Sequence, residues 1–117
     1  TIARFAFSFS MPSNEPRRDA YSMTIASSGI FINATSVGMK PMDDQSLITD
    51  LTMLRPGLIV TDVVYDPEET KLLREAKAAG CKTFDGLGML VEQGAASFNL
   101  YTGLDMPVAE VCDAIYR

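Results

Sequence analysis

The chain has 117 residues, fifteen acidic and ten basic side chains, and a formal net charge of −5. This charge gives no long-range attraction for a phosphate backbone, which argues against a nucleic-acid partner. Apolar residues make up 47% of the chain and charged residues 21%, the balance of a folded domain rather than a disordered segment. Histidine is absent, so the chain lacks the commonest metal ligand and general base, and we expect no metal site.

No stretch approaches the roughly 18–20 consecutive apolar residues that cross a bilayer, so no membrane segment is expected. The first residues also lack the pattern of an export signal. Cys81 and Cys112 lie too far apart for a local C-x-x-C metal or redox unit. Two reduced thiols are typical of a cytoplasmic protein, and the cytoplasm is the predicted location.

Residues 1–29 form an N-terminal segment without a clear assignment. Within it, Phe5, Phe7, Phe9 and Met11 alternate with other residues as in a half-buried strand. The stretch MPSNEPRR that follows is typical of turns.

From residue 30 to 117, short apolar runs alternate with amphipathic stretches, as when crossover helices join parallel strands. The predicted fold class is therefore α/β. Strands are expected at 30–34, 58–65 and 81–84. The second is almost uninterrupted and β-branched, which predicts a central strand buried on both faces.

Four helices are expected between and after these strands. The first spans 46–54, where residues 47, 48, 51 and 54 form one apolar stripe. The second spans 67–79, with Asp66 as its N-cap and Gly80 as its left-handed C-terminal stop. The third spans about 88–101 and the last 107–116. The third is capped by Asp85 and directs five side chains toward a core: Leu87, Leu90, Val91, Ala95 and Phe98.

Ligands of open parallel sheets bind beyond the carboxyl ends of the strands. This rule selects three segments that should share one edge: 33–38, 62–66 and 85–88. Each also has a purely structural interpretation. Asn33 and Thr35 are typical of side chains that satisfy turn backbone, and an acid before a helix is typical of a cap. Gly86 would serve either a tight turn or the approach of a flat cofactor ring.

Two further side chains suit a polyhydroxylated ligand. Gln93 lies about two turns inside the third helix, and its amide both donates and accepts hydrogen bonds, although a glutamine on an exposed helix face is the more usual explanation. Tyr65 is either a ligand contact or a core aromatic with a wet hydroxyl.

Four motifs in this order resemble the C-terminal half of shikimate and quinate dehydrogenases. They are INATSVGM (32–39), VTDVVYDPEETKLL (60–73), GCKTFDGLGMLVEQGAASF (80–98) and YTG (101–103). The resemblance covers about residues 28–116 and leans toward the bacterial quinate/shikimate branch, which uses NAD or NADP. It implies the C-terminal half of a Rossmann-type doubly wound parallel sheet, so that residues 30–117 are a partial NAD(P)-binding domain.

The resemblance also implies roles for individual residues in a hydride exchange between the nicotinamide and a ring carbon of shikimate or quinate. Tyr65 and Gln93 match substrate-contacting positions. The positions that match the nicotinamide end of the coenzyme site are Ser36, Val63, Val64, Tyr65, Asp66 and Gly86.

The family's catalytic lysine and aspartate come from an N-terminal substrate domain, and no residue of this chain matches them. The glycine-rich phosphate loop is also missing. The 117 residues alone are therefore expected to be inactive. One alternative is a non-catalytic remnant that binds a partner or self-associates as a homo-oligomer through an exposed sheet edge. Another is an unrelated flavodoxin-like or receiver-like domain.

Overall fold

The computed structural model describes residues 5–9 and 25–116. Its strands form one parallel sheet in chain order, which confirms the α/β class and the existence of the three strands expected from residue 30 onward. The strand expected at 58–65 is shorter than predicted, because it ends at Asp62. The alternation at the N-terminus is also confirmed as a strand, whereas Met11 and the turn-like stretch after it lie outside the described residues. The strands are β1 (Phe5–Phe9), β2 (Ile30–Ala34), β3 (Ile59–Asp62) and β4 (Lys82–Phe84).

Three α-helices follow β3 within the described part of the chain, and a single 3-10 turn, Leu51–Met53, precedes it. The core lies between the sheet and the first of these helices. The helices are α1 (Lys71–Ala78), α2 (Gly86–Thr102) and α3 (Val108–Ile115). None of the described helices is long and apolar enough to cross a membrane.

The helix expected at 46–54 is wrong, since only Leu51–Met53 turns helically. The Asp50 carboxylate accepts hydrogen bonds from the backbone N–H and hydroxyl of Thr52, at 3.0 and 2.6 Å, and so starts a new turn in mid-segment. These hydrogen bonds also lower the pKa of Asp50. Leu54 is already extended. The predicted apolar stripe is buried only in part, because Leu54 is buried whereas Leu51 is exposed.

Helix α1 begins at Lys71, four residues later than expected, and its N-cap is Thr70 rather than Asp66. The Thr70 hydroxyl accepts a hydrogen bond from the backbone N–H of Leu73 at 3.4 Å. Gly80 is confirmed as the left-handed stop, with φ of +83°. The start of a helix is therefore decided by which side chain can reach the free N–H groups, and Thr70 is held where it can do so.

The sheet face toward α1 is the well-packed one. Phe31 and Val60 alternate inward, and Leu72 and Leu73 of α1 cover them. The interior position of β3, between β2 and β4, is confirmed. The expected burial of β3 on both faces is not confirmed, because Ile59 and Thr61, which point away from α1, are only half-buried among the described residues.

Helix α2 is capped by Asp85 as expected but begins two residues early, at Gly86. Leu87 and Val91 are buried, and Leu90 and Ala95 are half-buried. The expectation for Phe98 is wrong, because its side chain is exposed. Helix α3 is confirmed, and it packs against α2 without burying any residue fully.

Candidate functional site

The three segments selected by the strand-end rule lie at one edge of the sheet, because all four strands are parallel. Asn33 pairs in register with Asp62, the last residue of β3. The backbone N–H of Val63 donates to the Asn33 carbonyl at 3.0 Å, so the chains leave β2 and β3 side by side. This edge is the candidate site.

The loop after β2 is shaped by its own polar side chains. Asn33 Oδ1 accepts from the backbone N–H and the hydroxyl of Thr35, at 3.0 and 2.7 Å. Thr35 Oγ1 in turn accepts from the backbone N–H of Val37 at 3.1 Å. The structural interpretation of Asn33 and Thr35 is thus confirmed. Their effect is to hold Ser36 at the tip of the loop, where it is exposed.

The segment after β3 carries four of the expected cofactor residues in different environments. Val63 is half-buried and Val64 is buried, so Val64 offers chiefly its backbone to the site edge. Tyr65 is 50% exposed and Asp66 is exposed. The exposure of Tyr65 excludes a fully buried core role for this side chain.

Gly86 brings the third segment onto the second. A Cβ atom at this position would lie 2.4 Å from the Val63 carbonyl oxygen and 2.7 Å from that of Val64. No side chain fits there, since van der Waals contact needs more than 3 Å. Gly86 is the first residue of α2. The sequence analysis explained this glycine by a tight turn or by the approach of a cofactor ring, and it did not anticipate the contact with the backbone of Val63 and Val64. The glycine lets the N-terminus of α2 meet the backbone after β3.

The N-terminus of α2 is fixed from two directions. Asp85 Oδ1 accepts from the backbone N–H groups of Leu87 and Gly88, at 3.0 and 3.3 Å. It also accepts from the hydroxyl of Tyr116, at 3.1 Å. Burial, and then the Asp85 carboxylate, raise the pKa of Tyr116. Tyr116 follows α3, and only the tertiary structure brings it to this site.

Gln93 lies on α2, about two turns from Gly86, and its side chain is exposed. Exposure agrees with a surface glutamine and also leaves the amide accessible to a ligand. The structure thus brings Val63, Val64 and Gly86 into direct contact. Ser36, Tyr65 and Asp66 lie on loops of the same edge, and Gln93 lies farther along the helix.

Two polar residues of this edge carried no role in the sequence analysis. Asp62 and Thr70 are both completely buried, and the Thr70 hydroxyl donates to Asp62 Oδ2 at 2.7 Å. The signal in the sequence that could have revealed this pair was Asp62 itself, an acid inside an otherwise apolar run, which needs hydrogen-bond partners when buried.

No group of three or more metal-ligating side chains occurs in residues 25–116.

Comparison with known proteins finds one family along most of the chain. The model of the shikimate 5'-dehydrogenase C-terminal domain matches residues 86–116, that is α2 and α3. The quinate/shikimate dehydrogenase of Shigella flexneri is 51% identical over 94 residues, which cover 80% of this chain and 38% of that enzyme. The chain thus spans little more than a third of the length of this relative.

Solved structures agree in fold. Shikimate 5-dehydrogenase from Listeria monocytogenes, in complex with shikimate and NAD, is 46% identical with a TM-score of 0.78, over 84% of this chain and 34% of that one. The Thermus thermophilus enzyme, in complex with NADP(H) and shikimate, is 35% identical with a TM-score of 0.68, over 75% of this chain and 33% of that one. The sheet and its helices therefore have the fold of the C-terminal half of a Rossmann-type doubly wound domain, and the chain is homologous to the C-terminal part of shikimate/quinate dehydrogenases.

Proposed function

We propose that this chain forms the C-terminal part of an NAD(P)-dependent dehydrogenase that exchanges a hydride with a ring carbon of shikimate or quinate. The observation that carries the proposal is the 51% identity to a quinate/shikimate dehydrogenase over four fifths of the chain. In this proposal the chain supplies the nicotinamide end of the coenzyme site and one wall of the substrate site.

The carboxyl edge of the sheet fits a nicotinamide. Gly86 draws the first turn of α2 onto the backbone of Val63 and Val64, which leaves a close-packed floor of peptide groups. The half-buried Val63 side chain offers an apolar surface beside that floor, and Ser36 offers a hydroxyl at the loop tip. When bound, the nicotinamide ring accepts or donates the hydride. These residues and Asp66 would orient the ring and exclude water from one of its faces.

Tyr65 and Gln93 are proposed to contact the substrate. The Tyr65 side chain is half-exposed, and a phenol can both donate to and accept from a hydroxyl group. The exposed Gln93 amide offers two donors and one acceptor. Together they would select a polyhydroxylated ring by hydrogen bonding rather than by charge.

The 117 residues are proposed to bind without turnover, since the family's catalytic lysine and aspartate match no residue here. Both NAD and NADP are proposed as coenzymes, and both shikimate and quinate as substrates. The cytoplasm is the proposed location, on the basis of the free thiols Cys81 and Cys112.

The first experiment determines the intact mass of the purified polypeptide and titrates it with NADPH and NADH, following the fluorescence of the reduced nicotinamide. Weak but saturable binding is expected. Ser36→Ala should weaken it by up to about tenfold, the effect of one lost hydrogen bond. Ser97→Ala, which also changes an exposed serine, should leave it unchanged. Absence of any binding would contradict the proposed coenzyme site.

The second experiment adds shikimate or quinate. Both acids should perturb the NMR signals of the Gln93 side-chain amide. Gln93→Ala should weaken substrate binding, and the matched change of an exposed loop residue, Gln45→Ala, should not. Measurable NADP- or NAD-linked oxidation of either acid by the 117-residue polypeptide alone would contradict the proposed lack of turnover.

A second candidate function is self-association without catalysis. Exposed apolar side chains at the end of α2 favour it, since Leu100 and Tyr101 are 85% and 89% exposed. Sedimentation equilibrium tests it directly. Concentration-dependent dimers that bind neither coenzyme would favour this candidate over the dehydrogenase, whereas a monomer that binds NADPH would exclude it.

A further inference from the structure

A completely buried carboxylate lies at the carboxyl end of β3. Asp62 has no exposed surface, and burying an ionised carboxylate costs several kcal/mol unless hydrogen bonds compensate. Three donors reach it. Asn33 Nδ2 and the backbone N–H of Val64 donate to Oδ1 at 3.1 and 3.0 Å, and the Thr70 hydroxyl donates to Oδ2 at 2.7 Å. A carboxylate with only acceptor positions suits three donors.

Each donor belongs to a different segment of the site edge. Asn33 is the penultimate residue of β2, and its Nδ2 also donates to the Val37 carbonyl at 3.0 Å, which holds the loop after β2. Val64 belongs to the segment that contacts Gly86. Thr70 is the N-cap of α1. The Asp62 side chain therefore connects the loop after β2, the segment after β3 and the N-terminus of α1.

The loop after β2 also covers this carboxylate. Gly38 has a φ of +102°, a conformation that L side chains rarely adopt. A Cβ atom on Gly38 would lie 3.4 Å from two carbons of Thr70 and 3.9 Å from Asp62 Oδ2. Gly38 of this loop therefore lies against the Asp62–Thr70 pair.

We propose that Asp62 is a positioning residue, which couples the loop that carries Ser36 to the backbone at Val63 and Val64. Through Thr70, the same coupling includes the N-terminus of α1. The inference rests on the proposed function only for what the edge binds. The coupling itself is a property of the chain and is measurable without ligand.

The test is amide hydrogen exchange by NMR on the ligand-free chain in Thr70→Val, which removes the hydroxyl at constant shape, and Thr70→Ser, which keeps it. The amide of Val37 bonds to Thr35, not to Thr70 or Asp62, so it reports propagation. In Thr70→Val the exchange of Val37 and Val64 should accelerate about tenfold, comparable to one lost hydrogen bond. The amide of Ile59, bonded to Gly29 at the other end of β3, should keep its rate.

Thr70→Ser should restore protection at both positions. Acceleration confined to Leu73, the amide that Thr70 caps, would overturn the proposal, because it would reveal a local cap alone. Equal acceleration at Ile59 would also overturn it, since that is global destabilisation.

Substitution of Asp62 gives an independent arm if Thr70→Val does not fold. Asp62→Asn keeps an acceptor for Asn33 and Val64 and offers an N–H to the Thr70 hydroxyl, so protection at Val37 should stay within about threefold. In Asp62→Leu the Val37 amide should lose its protection from exchange. Asp50→Asn changes a similar aspartate–threonine turn, exposed and preceding β3, and should not alter Val37. Protection of Val37 in Asp62→Leu at the wild-type level would overturn the proposal.

A final titration with NADPH separates this inference from the proposed function. If wild type and Thr70→Ser bind NADPH and Thr70→Val binds it at least about tenfold more weakly, the coupling serves the coenzyme site. If Thr70→Val binds as wild type does, the positioning role is overturned. No binding by wild type would count against the proposed function, while the exchange data would still decide the coupling.

Discussion

The region around α1 and the helical region formed by α2 and α3 both carry apolar side chains, but they bury these side chains to very different extents. Leu72 and Leu73 of α1 are almost completely buried against the sheet. In contrast, Leu100 and Tyr101 near the end of α2 are almost completely exposed, and α3 buries no residue. Amphipathic periodicity states which face of a helix is apolar, but burial requires a partner surface, and within the described residues only α1 has a complete one.

The largest expected difference between these regions comes from the same substitution in each. Leu73→Ala should lower the free energy of unfolding by about 2–5 kcal/mol, through lost burial and a cavity. Leu100→Ala should change it by less than about 0.5 kcal/mol, since the side chain is exposed and alanine favours helix. Urea unfolding followed by circular dichroism measures both. Similar losses would show that Leu100 is covered by something beyond the described contacts.

A smaller effect is expected where the two regions meet. Gly86→Ala places a methyl group into the Val63 carbonyl and should cost about 1–3 kcal/mol. The control is Gly94→Ala, farther along the same helix, where a Cβ meets nothing within 4 Å. It should stabilise the chain by about 0.5–1 kcal/mol, because alanine replaces a mid-helix glycine. A neutral Gly86→Ala in the same urea experiment would contradict the close contact.

The two cysteines should differ in reactivity as the two regions differ in packing. Cys81 is buried behind α1, and burial raises the pKa of its thiol. Cys112 lies half-buried on α3. Ellman's reagent should modify Cys81 at least about tenfold more slowly than Cys112, because the thiolate reacts and Cys81 resists forming it. Cys112→Ser should remove the fast phase alone, and loss of the slow phase instead would reverse the assignment.

The smallest expected effect concerns pH. The pKa of Tyr116 is raised in the folded chain, so the protonated phenol is favoured there. Its contribution to stability is therefore complete below pH 10.0, the ordinary value, and is lost as the pH rises through the folded pKa. Tyr116→Phe should flatten the decline of thermal stability above that pH. Tyr101→Phe, at a more exposed tyrosine, should not. Identical pH profiles for Tyr116→Phe and wild type would exclude the Asp85 contact in solution.

The outcome of the sequence predictions follows how local each determinant is. Gly80 as a helix stop and Asp85 as a cap were predictable, because each depends on one residue and the backbone beside it. The start of α1 was not predictable. Thr70 rather than Asp66 is the N-cap, and Thr70 is held in place by a hydrogen bond to Asp62, eight residues earlier. The helix at 46–54 failed in the same way, because Asp50 and Thr52 redirected the backbone.

For the candidate site, the strand-end rule located the correct edge, and the motifs carried the family. The rule could not reveal that Gly86 packs on Val63, that Tyr116 returns to Asp85, or that Asp62 joins three segments. Apart from the hydrogen bond between Asp62 and Val64, these contacts join residues 8 to 31 positions apart, so no local pattern specifies them.

The sequence by itself determined the α/β class, the presence of the strands, the C-terminal ends of α1, α2 and α3, and the family resemblance, because these depend on short-range periodicity, helix stops and contiguous motifs. Only the tertiary structure decided which apolar faces are buried and which polar side chains hold the ligand loops. Burial and buried hydrogen bonds depend on what the rest of the chain brings against a residue, and a carboxylate such as Asp62 is tolerated only where three donors meet it at once.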